Sequence, residues 1–396
     1  MPIFGCRPPD PFPADILQER DFVILPTGGD KFMDNEKRPL TEKDVYKKAL
    51  KRRTRYRIPS ANPAVIITVV LFLAIIAVCA VVIAGRDGGN APGIVTGTIT
   101  LETDETGVIT EAVTEADKSI KITLTADDVH RGELVLVNAD HEFRFPETRD
   151  DVSVYDNKSP SYKVGDRTVT LSMTTIDAFN KLMDDFYAQT ACRDVMIVSG
   201  GGYRSEEYQR QLYTDRVASQ GAEAAARYVA LPGNSEHHTG LAMDLTVYTD
   251  SGEGHTLRTY EKCAWLVDNF ENYGFSMRYP EEKEDITGIG YESWHYRYVG
   301  VPHSLIMKEK NMCFEEYVEY LHTIPEGKAV FWNGTSSLVA DIEDSLNFYA
   351  VYYVAASAVG DTKITIPEGR EYTVSGDNVS GFIITLLPVN GGQINE

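Results

Sequence analysis

The sequence has few cysteines and no excess of positive charge, and each shortage excludes a class of protein. Only 5 of the 396 residues are cysteine, and they lack the spacing of a metal site or of a dense disulfide framework. Lys and Arg number 38 against 59 Asp and Glu, for a formal net charge of −21. Because nucleic-acid binding depends on cations that neutralise phosphates, we expect no nucleic-acid partner. Internal repeats and long low-complexity tracts are also missing, so repeat arrays are excluded.

The residues that are present favour ordinary globular folding. Hydrophobic residues make up 43% of the chain and charged residues 24%, which is close to the average for soluble domains. At about 100–200 residues per domain, the chain has room for about two or three domains. The charge is unevenly spread: residues 1–86 hold 14 Lys and Arg against 9 Asp and Glu, whereas residues 87–396 hold 24 against 50. The two parts of the chain are therefore expected to face different surroundings.

A long apolar run separates these two parts. Residues 64–84 read AVIITVVLFLAIIAVCAVVIA, and at about 1.5 Å per residue a helix of this length crosses a hydrocarbon core of about 30 Å. A buried core helix or a cleaved signal peptide are the alternatives, but the run has no polar face and is preceded by a leader of about 60 residues. Eight Lys and Arg lie within residues 43–57. Since positive charge stays inside, we expect a single-pass protein of the cell membrane with a cytoplasmic N-terminus.

Composition and spacing predict five zones along the chain. They are a largely disordered cytoplasmic segment with a basic end (1–63), a transmembrane helix (64–84), an extracytoplasmic stalk (85–127), a mixed α and β domain (128–323) and a small β-rich domain (324–396). Within the mixed domain we expect strands at 133–138, 195–199 and 241–247 and helices at 174–189, 206–219 and 260–273. The extracytoplasmic cysteines, Cys192, Cys263 and Cys313, allow at most one disulfide, or three buried thiols.

Two histidine-containing segments carry the candidate chemistry. The first, SEHHTGLAMD over residues 235–244, places a histidine and an aspartate around a glycine. The second, YESWH over residues 291–295, adds a glutamate and a histidine. Two histidines and a carboxylate are a catalytic type of zinc set, which leaves one position for water and needs a base beside that water.

The alternation of side chains along a strand predicts the face of the sheet on which each of these residues lies. In the strand 241–247 alternate apolar residues face the core, so Asp244 faces the opposite side. His237 is out of phase with Asp244, so Gly240 is expected to mark a turn or bulge. Glu292 is out of phase with His295 and is expected on the loop before a strand that begins at His295.

Three motifs occur in order along the mixed domain: Gly202-Tyr203-Arg204-Ser205 with Gln209, then Ser235-x-His237-x-x-Gly240-x-Ala242-x-Asp244, then Glu292-x-Trp294-His295. Together they resemble the VanY-like family of zinc D-alanyl-D-alanine carboxypeptidases over roughly residues 128–323. The resemblance implies an α+β domain of the Hedgehog/D,D-peptidase fold, in which a small antiparallel sheet is flanked by helices. Residues 1–85 and the β-rich segment lie outside the resemblance.

The resemblance also implies a role for each motif residue. One zinc ion per chain would be held by His237, Asp244 and His295, with Glu292 as general base and Arg204 as stabiliser of the oxyanion. Residues near the bound peptide terminus would be Tyr203, Gln209 and Ser235. A surface ion pair with Glu206 or Glu207 is the alternative interpretation of Arg204, and His238 is either a substrate contact or a solvated side chain.

We therefore expect a membrane-anchored zinc carboxypeptidase that removes the C-terminal D-alanine of peptidoglycan stem peptides. Two alternatives share the metal chemistry, an L,D-carboxypeptidase and a peptidoglycan endopeptidase, because the motifs do not define the length of the pocket. A non-catalytic peptidoglycan-binding sensor is the alternative of another class. Glu292 argues against a sensor, since a binding protein needs no base beside the metal.

Overall fold

The computed structural model describes residues 119–342 and 347–389. The predicted cytoplasmic segment (1–63), the predicted transmembrane helix (64–84) and most of the predicted stalk lie outside the described residues. Among the described residues, no helix combines the length and the apolar composition that a membrane span requires.

The described residues form short strands and helices in alternation. The strands are β1 Ser119–Leu124, β2 Val152–Ser153, β3 Lys163–Val164, β4 Thr170–Leu171, β5 Val195–Ile197, β6 Ala242–Tyr248, β7 Gly254–His255, β8 Phe275–Met277, β9 His295–Tyr298, β10 Lys328–Trp332, β11 Ser337–Asp341, β12 Tyr349–Ala355, β13 Thr362–Pro367, β14 Tyr372–Gly376 and β15 Gly381–Leu386. The α-helices are α1 Val154–Asn157, α2 Met173–Thr190, α3 Glu206–Gln220, α4 Ala222–Tyr228, α5 Ala264–Asn269, α6 Glu284–Thr287, α7 His303–Lys310 and α8 Phe314–His322. Short 3-10 helices are Ala126–His130, Glu236–Thr239, Glu261–Cys263, Phe270–Tyr273 and Glu281–Lys283.

The central sheet has strand order β3-β5-β6-β9-β8, with β7 paired to the end of β6. Its pairings are antiparallel except for the parallel pair β3 and β5. Helix α2 packs on this sheet through an apolar stripe of Ile176, Phe179, Leu182, Met183 and Phe186. The small sheet with flanking helices that the resemblance implied is therefore present.

Strand β6 divides the core from the site. Met243, Leu245 and Val247 are buried in the same apolar cluster as the stripe of α2. Because successive side chains of a strand point to opposite faces, Asp244 lies on the other face of the sheet. The predicted phase of this strand is confirmed, and it is what presents Asp244 to the site.

The β-rich segment forms a second, antiparallel sheet of order β11-β10-β12-β15-β14, and β13 pairs with β1 from the other end of the described chain. Its inner face meets α7 and α8: Ile306 and Tyr317 share one apolar cluster with Val330, Trp332 and Ile383. The predicted boundary at residues 323 and 324 thus falls between elements whose side chains pack together. The division into two domains at this point stays a prediction.

Several local predictions were wrong. No strand forms at 133–138. The backbone there bonds to scattered partners: Ser375 Oγ accepts from the amide of Leu134, Arg297 donates to two carbonyl oxygens, and the amide of Leu136 donates to the carbonyl oxygen of Asp377. The helix predicted at 174–189 begins one residue earlier, because Ser172 caps α2 by accepting from the amide of Thr175. The helix predicted at 260–273 is broken into an α-helical turn between two 3-10 turns. The three described cysteines are buried free thiols, which is one of the two arrangements that the sequence predicted.

Candidate active site

Asp244 and His295 face each other across two neighbouring strands. The antiparallel pairing of β6 with β9 places Asp244 directly opposite His295, and Oδ1 of Asp244 lies 2.9 Å from Nδ1 of His295. Both side chains are buried. Opposed residues of an antiparallel pair have Cβ atoms about 4.5–5.5 Å apart, so the strand register itself brings the two groups together.

His237 reaches the same point from the 3-10 helix Glu236–Thr239, which ends at Gly240. Gly240 has a φ of 73°, and a Cβ at that position would collide with a neighbouring carboxylate. The predicted turn at Gly240 is confirmed. Nδ1 of His237 lies 2.7 Å from the carbonyl oxygen of Gly202, and its Nε2 lies 3.3 Å from Oδ2 of Asp244.

The three side chains form a cluster that fits a metal ion. One ligand atom from each of His237, Asp244 and His295 lies within 4.8 Å of the other two, and all three residues are buried. Two imidazoles and a carboxylate are a donor set of catalytic zinc sites. Each histidine turns its other ring nitrogen toward an oxygen, which is Gly202 O for His237 and, at 3.6 Å, Glu236 Oε2 for His295. Because metal-binding histidines are oriented by such partners, the residues present suit a zinc-type centre.

Burial and neighbouring charges set the protonation of the cluster. Burial lowers the pKa of His237 to about 4, and the positive charge of Arg204 acts in the same direction. Burial also opposes a charge on His295, but contacts with Asp244 and Glu236 outweigh it and raise the pKa of His295 to about 9. Asp244 is buried too, yet His237 and Arg204 hold the pKa of its carboxyl well below its usual range. The cluster thus offers an ionised carboxylate and the neutral imidazole of His237 to a cation.

Glu292 lies on the loop before β9, where its phase relative to His295 predicted it. Its side chain is buried, and its Oε2 lies 3.9 Å from Nδ1 of His295. Burial raises the pKa of Glu292 to about 8, and the negative charge of Asp244 also raises it. A carboxyl group whose pKa lies near neutral pH is suited to accept and return a proton, which an always-ionised carboxylate is not.

Arg204 is held against the cluster and not at the surface. Its Nη2 donates to Oδ2 of Asp244 at 2.5 Å, and its Nε donates to the carbonyl oxygen of Gly200 at 2.8 Å. Glu206, one of the surface partners considered from the sequence, pairs instead with Arg210. The guanidinium therefore lines the cleft beside the metal-type cluster.

The three residues expected near the peptide terminus take different positions. Gln209 and Ser235 are buried in the wall of the cleft that contains the cluster. The side-chain nitrogen of Gln209 donates to a backbone carbonyl at 2.8 Å, while its Oε1 has no hydrogen-bond partner among the described residues. Tyr203 lies outside the described lining of this cleft, and its ring is covered by the guanidinium of Arg149 at 4.1 Å. Gln209 and Ser235 therefore line the cleft that contains the cluster, whereas Tyr203 packs against Arg149.

His238 is enclosed by backbone groups and aromatic rings. Its Nδ1 lies 2.7 Å from the carbonyl oxygen of Arg204, and its Nε2 accepts from the amide of Gly233 at 3.0 Å. The rings of Phe143 and Phe145 lie against it. His238 is therefore neither solvated nor part of the described cleft lining, and it fixes the backbone on either side of the metal-type cluster.

Reasoning from the sequence missed two residues of the site, Glu236 and Tyr279. Glu236 is fully enclosed and approaches His295; its position between Ser235 and His237 in the second motif places it near the site but does not indicate that it is buried. The ring of Tyr279 lies 4.9 Å from that of His295 and lines the cleft, but nothing in its sequence context distinguishes it from a core tyrosine.

Comparison with known proteins agrees with this geometry. The family model described as VanY, D-alanyl-D-alanine carboxypeptidase, matches residues 169–301, which contain the whole cluster. A D-alanyl-D-alanine carboxypeptidase of Enterococcus faecium is 32% identical over 272 residues, which cover 67% of this chain and 78% of that protein. The bifunctional D-Ala-D-Ala dipeptidase and carboxypeptidase VanXYC of Enterococcus gallinarum is 39% identical over 132 residues, covering 33% of this chain and 68% of that protein.

A solved structure supports the same relationship. The vancomycin resistance D,D-dipeptidase VanXYg, crystallised with a D-Ala-D-Ala phosphinate analogue, is 30% identical and superposes with a TM-score of 0.56. The match covers 68% of this chain and 98% of that structure. The likeness of fold, the ordered motifs and the extent of the match to the Enterococcus faecium relative lead to one conclusion: the chain belongs to the VanY family of D-alanyl-D-alanine carboxypeptidases.

Proposed function

We propose that this protein is a zinc D-alanyl-D-alanine carboxypeptidase that releases the C-terminal D-alanine of peptidoglycan stem peptides. The observation that carries the proposal is the buried cluster of His237, Asp244 and His295 with Glu292 beside it. The activities of the relatives, D-Ala-D-Ala carboxypeptidase and D-Ala-D-Ala dipeptidase, support the substrate class.

One zinc ion per chain would be held by the three residues of the cluster. When bound, zinc supplies a Lewis acid that polarises the scissile carbonyl and lowers the pKa of water. The carboxylate of Glu292 accepts a proton from the attacking water and returns it to the nitrogen of the departing D-alanine. The raised pKa of Glu292 favours the first of these two transfers, because a more basic carboxylate accepts a proton from water more readily.

Arg204 and two neutral groups complete the proposed site. The guanidinium of Arg204 is fixed by Gly200 and Asp244, so it can meet the negative charge that develops on the acyl oxygen without first reorganising. Gln209 and Ser235 line the same cleft, and their polar side chains can bind amide groups at the end of the peptide. A second pocket adjoins the cleft and shares Arg204 and Asp244 with it.

We also propose that residues 64–84 anchor the protein in the cell membrane and hold the peptidase outside it. The support is the uncharged run itself and the basic residues before it. An anchored enzyme would act on a substrate that is part of the cell wall.

Mass spectrometry of digests by the purified full-length protein tests the activity. We expect a stem pentapeptide ending in D-Ala-D-Ala to lose one alanine, and the tetrapeptide product to be stable. Glu292→Gln is the matched inactive control. Cleavage of the tetrapeptide would identify an L,D-carboxypeptidase, cleavage of cross-linked stems an endopeptidase, and peptide binding without turnover a sensor; each of these outcomes would overturn the proposed reaction.

A further inference from the structure

A buried group of four charged residues lies behind His295, at the ring nitrogen that does not face Asp244. It consists of Glu236, Arg278, Arg297 and Glu315, and we call it the buried charge cluster. Oε1 of Glu236 accepts from Arg278 Nε at 2.7 Å and from Arg297 Nη1 at 3.0 Å. Arg278 also donates to both carboxylate oxygens of Glu315, at 2.8 and 2.6 Å. The two cations and two anions therefore balance within the cluster.

The cluster is anchored on three parts of the fold. Glu315 belongs to α8, and Arg297 belongs to β9, the strand that also carries His295. Nη2 of Arg297 donates to the carbonyl oxygens of Glu133 and Val135, in the segment that was predicted as a strand. These contacts hold the carboxylate of Glu236 in one orientation, with Oε1 toward the arginines.

The second carboxylate oxygen of Glu236 is left for another partner. Oε2 of Glu236 and Nε2 of His295 are both buried, and neither has a hydrogen-bond partner among the described residues. They lie 3.6 Å apart. A buried donor and acceptor without partners are costly, so a small closure of this gap, with Nε2–H donating to Oε2, is the arrangement that satisfies both.

We propose that Glu236 is a positioning residue that keeps the proton of His295 on Nε2 and thereby leaves the lone pair of Nδ1 for the metal. The inference rests on the metal-dependent function proposed above. It follows from the geometry, because the ring of His295 has Asp244 at Nδ1 and Glu236 at Nε2. A carboxylate at the far nitrogen of a ligating histidine fixes both its tautomer and its orientation.

Glu236→Gln tests this role, and Glu315→Gln is the matched control. In Glu236→Gln the two arginines require the amide oxygen, so the amide NH₂ turns toward Nε2 of His295 and favours a proton on Nδ1. Glu315→Gln disturbs the same cluster, because Glu315 binds Arg278, but the structure shows no contact between Glu315 and His295. In competition titrations of the full-length protein with zinc and a chelator, we expect Glu236→Gln to bind zinc about 10–100-fold more weakly. Glu315→Gln should stay within about threefold of the parent, since it leaves His295 in place.

Nuclear magnetic resonance gives a second readout that does not depend on activity. In zinc-loaded protein labelled with ¹⁵N-histidine, the parent and Glu315→Gln should show a downfield Nε2–H signal from His295, which Glu236→Gln should lose. If Glu236→Gln fails to fold in thermal melts, Glu236→Asp replaces it. Glu236→Asp keeps the charge between the arginines but withdraws the carboxylate from His295.

Three outcomes would overturn the inference. They are zinc binding by the foldable Glu236 variant within threefold of the parent, an equal loss of affinity in Glu315→Gln, and a parent spectrum without the Nε2–H signal. If the parent binds zinc and cleaves pentapeptide while one of these outcomes is seen, the proposed function stands and only the role of Glu236 is lost. If the parent binds no zinc, the proposed function fails first.

Discussion

At the scale of single residues, two buried carboxyl groups of the site have different pKa values because their surroundings differ. Asp244 meets Arg204 and two histidines, which hold its pKa well below the usual range, whereas burial raises the pKa of Glu292 to about 8. Pairs of carboxyl groups whose pKa values are pushed apart divide the roles of permanent charge and proton transfer between them. We therefore interpret Asp244 as the ligand and Glu292 as the base.

The first prediction tests this division of roles. Glu292→Ala should keep its zinc but lose about 10²–10⁴ in turnover, the range for a positioned general base. Elemental analysis of the purified variant gives the zinc content, and release of D-alanine from a pentapeptide gives the turnover. Asp244→Ala is the comparison and should bind clearly less zinc. Loss of zinc from Glu292→Ala would make Glu292 a ligand and contradict the assignment.

The second prediction concerns pH and the stability of the metal-free protein. The folded pKa of Glu292, about 8, lies above the ordinary value of 4.5, so the unfolded chain loses this proton first as pH rises. Folding is therefore penalised progressively between pH 4.5 and pH 8, by about 3–5 kcal/mol at the upper end. Glu292→Gln should melt higher than the parent at pH 8, and the gap should close toward pH 5. The exposed Glu282→Gln is the control, and an equal gap at both pH values would refute the burial argument.

The third prediction concerns Arg204. As a group that meets charge in the transition state, its replacement by alanine should lower turnover by about 10²–10³ with a smaller change in substrate affinity. Arg204→Lys should recover part of the loss, since lysine restores the charge but not the planar fork. Arg210→Ala, which removes an exposed pair with Glu206, is the matched control and should leave the kinetics unchanged. Turnover of Arg204→Ala within about threefold of the parent would rule out the oxyanion role.

The sequence could predict the residues whose side-chain type and motif indicate a role without knowledge of their neighbours in the fold. His237, Asp244, His295 and Glu292 stand in motifs with the right donor types, and the structure brings them together. Glu236 is different, because its partners Arg278 and Arg297 lie 42 and 61 residues further along the chain. Without them a glutamate beside a histidine is typical of an exposed loop, so its burial could not be foreseen.

At the scale of elements, the register of β6 against β9 and the turn at Gly240 bring His237, Asp244 and His295 together. The alternation of apolar residues predicted β6, and the sheet supplies the opposition of Asp244 and His295. The same reasoning wrongly predicted a strand at 133–138. Its apolar residues are buried, but its backbone bonds to groups that lie far along the chain, among them the side chains of Arg297 and Ser375 and the backbone carbonyl of Asp377. A local pattern cannot reveal such partners.

The fourth prediction tests the turn. Gly240→Ala places a methyl group against the carboxylate of Asp151 at a φ of 73°, so the turn must shift and carry His237 with it. Gly360→Ala is the matched control, because Gly360 has the same φ of 73° but open space around the added Cβ. Both variants should lose about 1 kcal/mol from backbone strain. Only Gly240→Ala should also bind zinc more weakly in a chelator titration, and equal zinc affinities in the two variants would contradict a positioning role for the turn.

At the scale of the whole molecule, the β-rich segment is tied to the peptidase fold by both polar and apolar contacts. His322 Nε2 lies 2.7 Å from Asp377 Oδ2, and His303 Nε2 lies 3.0 Å from Thr385 Oγ1. The turns between its strands predicted the strands themselves, but turn residues carry no information about which surface a sheet covers. The sequence therefore predicted the segment as β-rich and left open whether it packs on the peptidase domain.

The fifth prediction asks whether the two parts unfold as one. Ile383 is buried in the apolar cluster shared with α7 and α8, so Ile383→Ala should cost about 2–5 kcal/mol. Because the cluster spans both parts, the loss should lower a single transition, in which zinc release and the loss of secondary structure shift together. Val379→Ala, at a position of the same segment that is 39% exposed, should change stability by at most about 0.5 kcal/mol. If Ile383→Ala instead splits the melt into two steps and zinc release keeps the parent midpoint, the β-rich segment folds on its own and the shared cluster does not support the site.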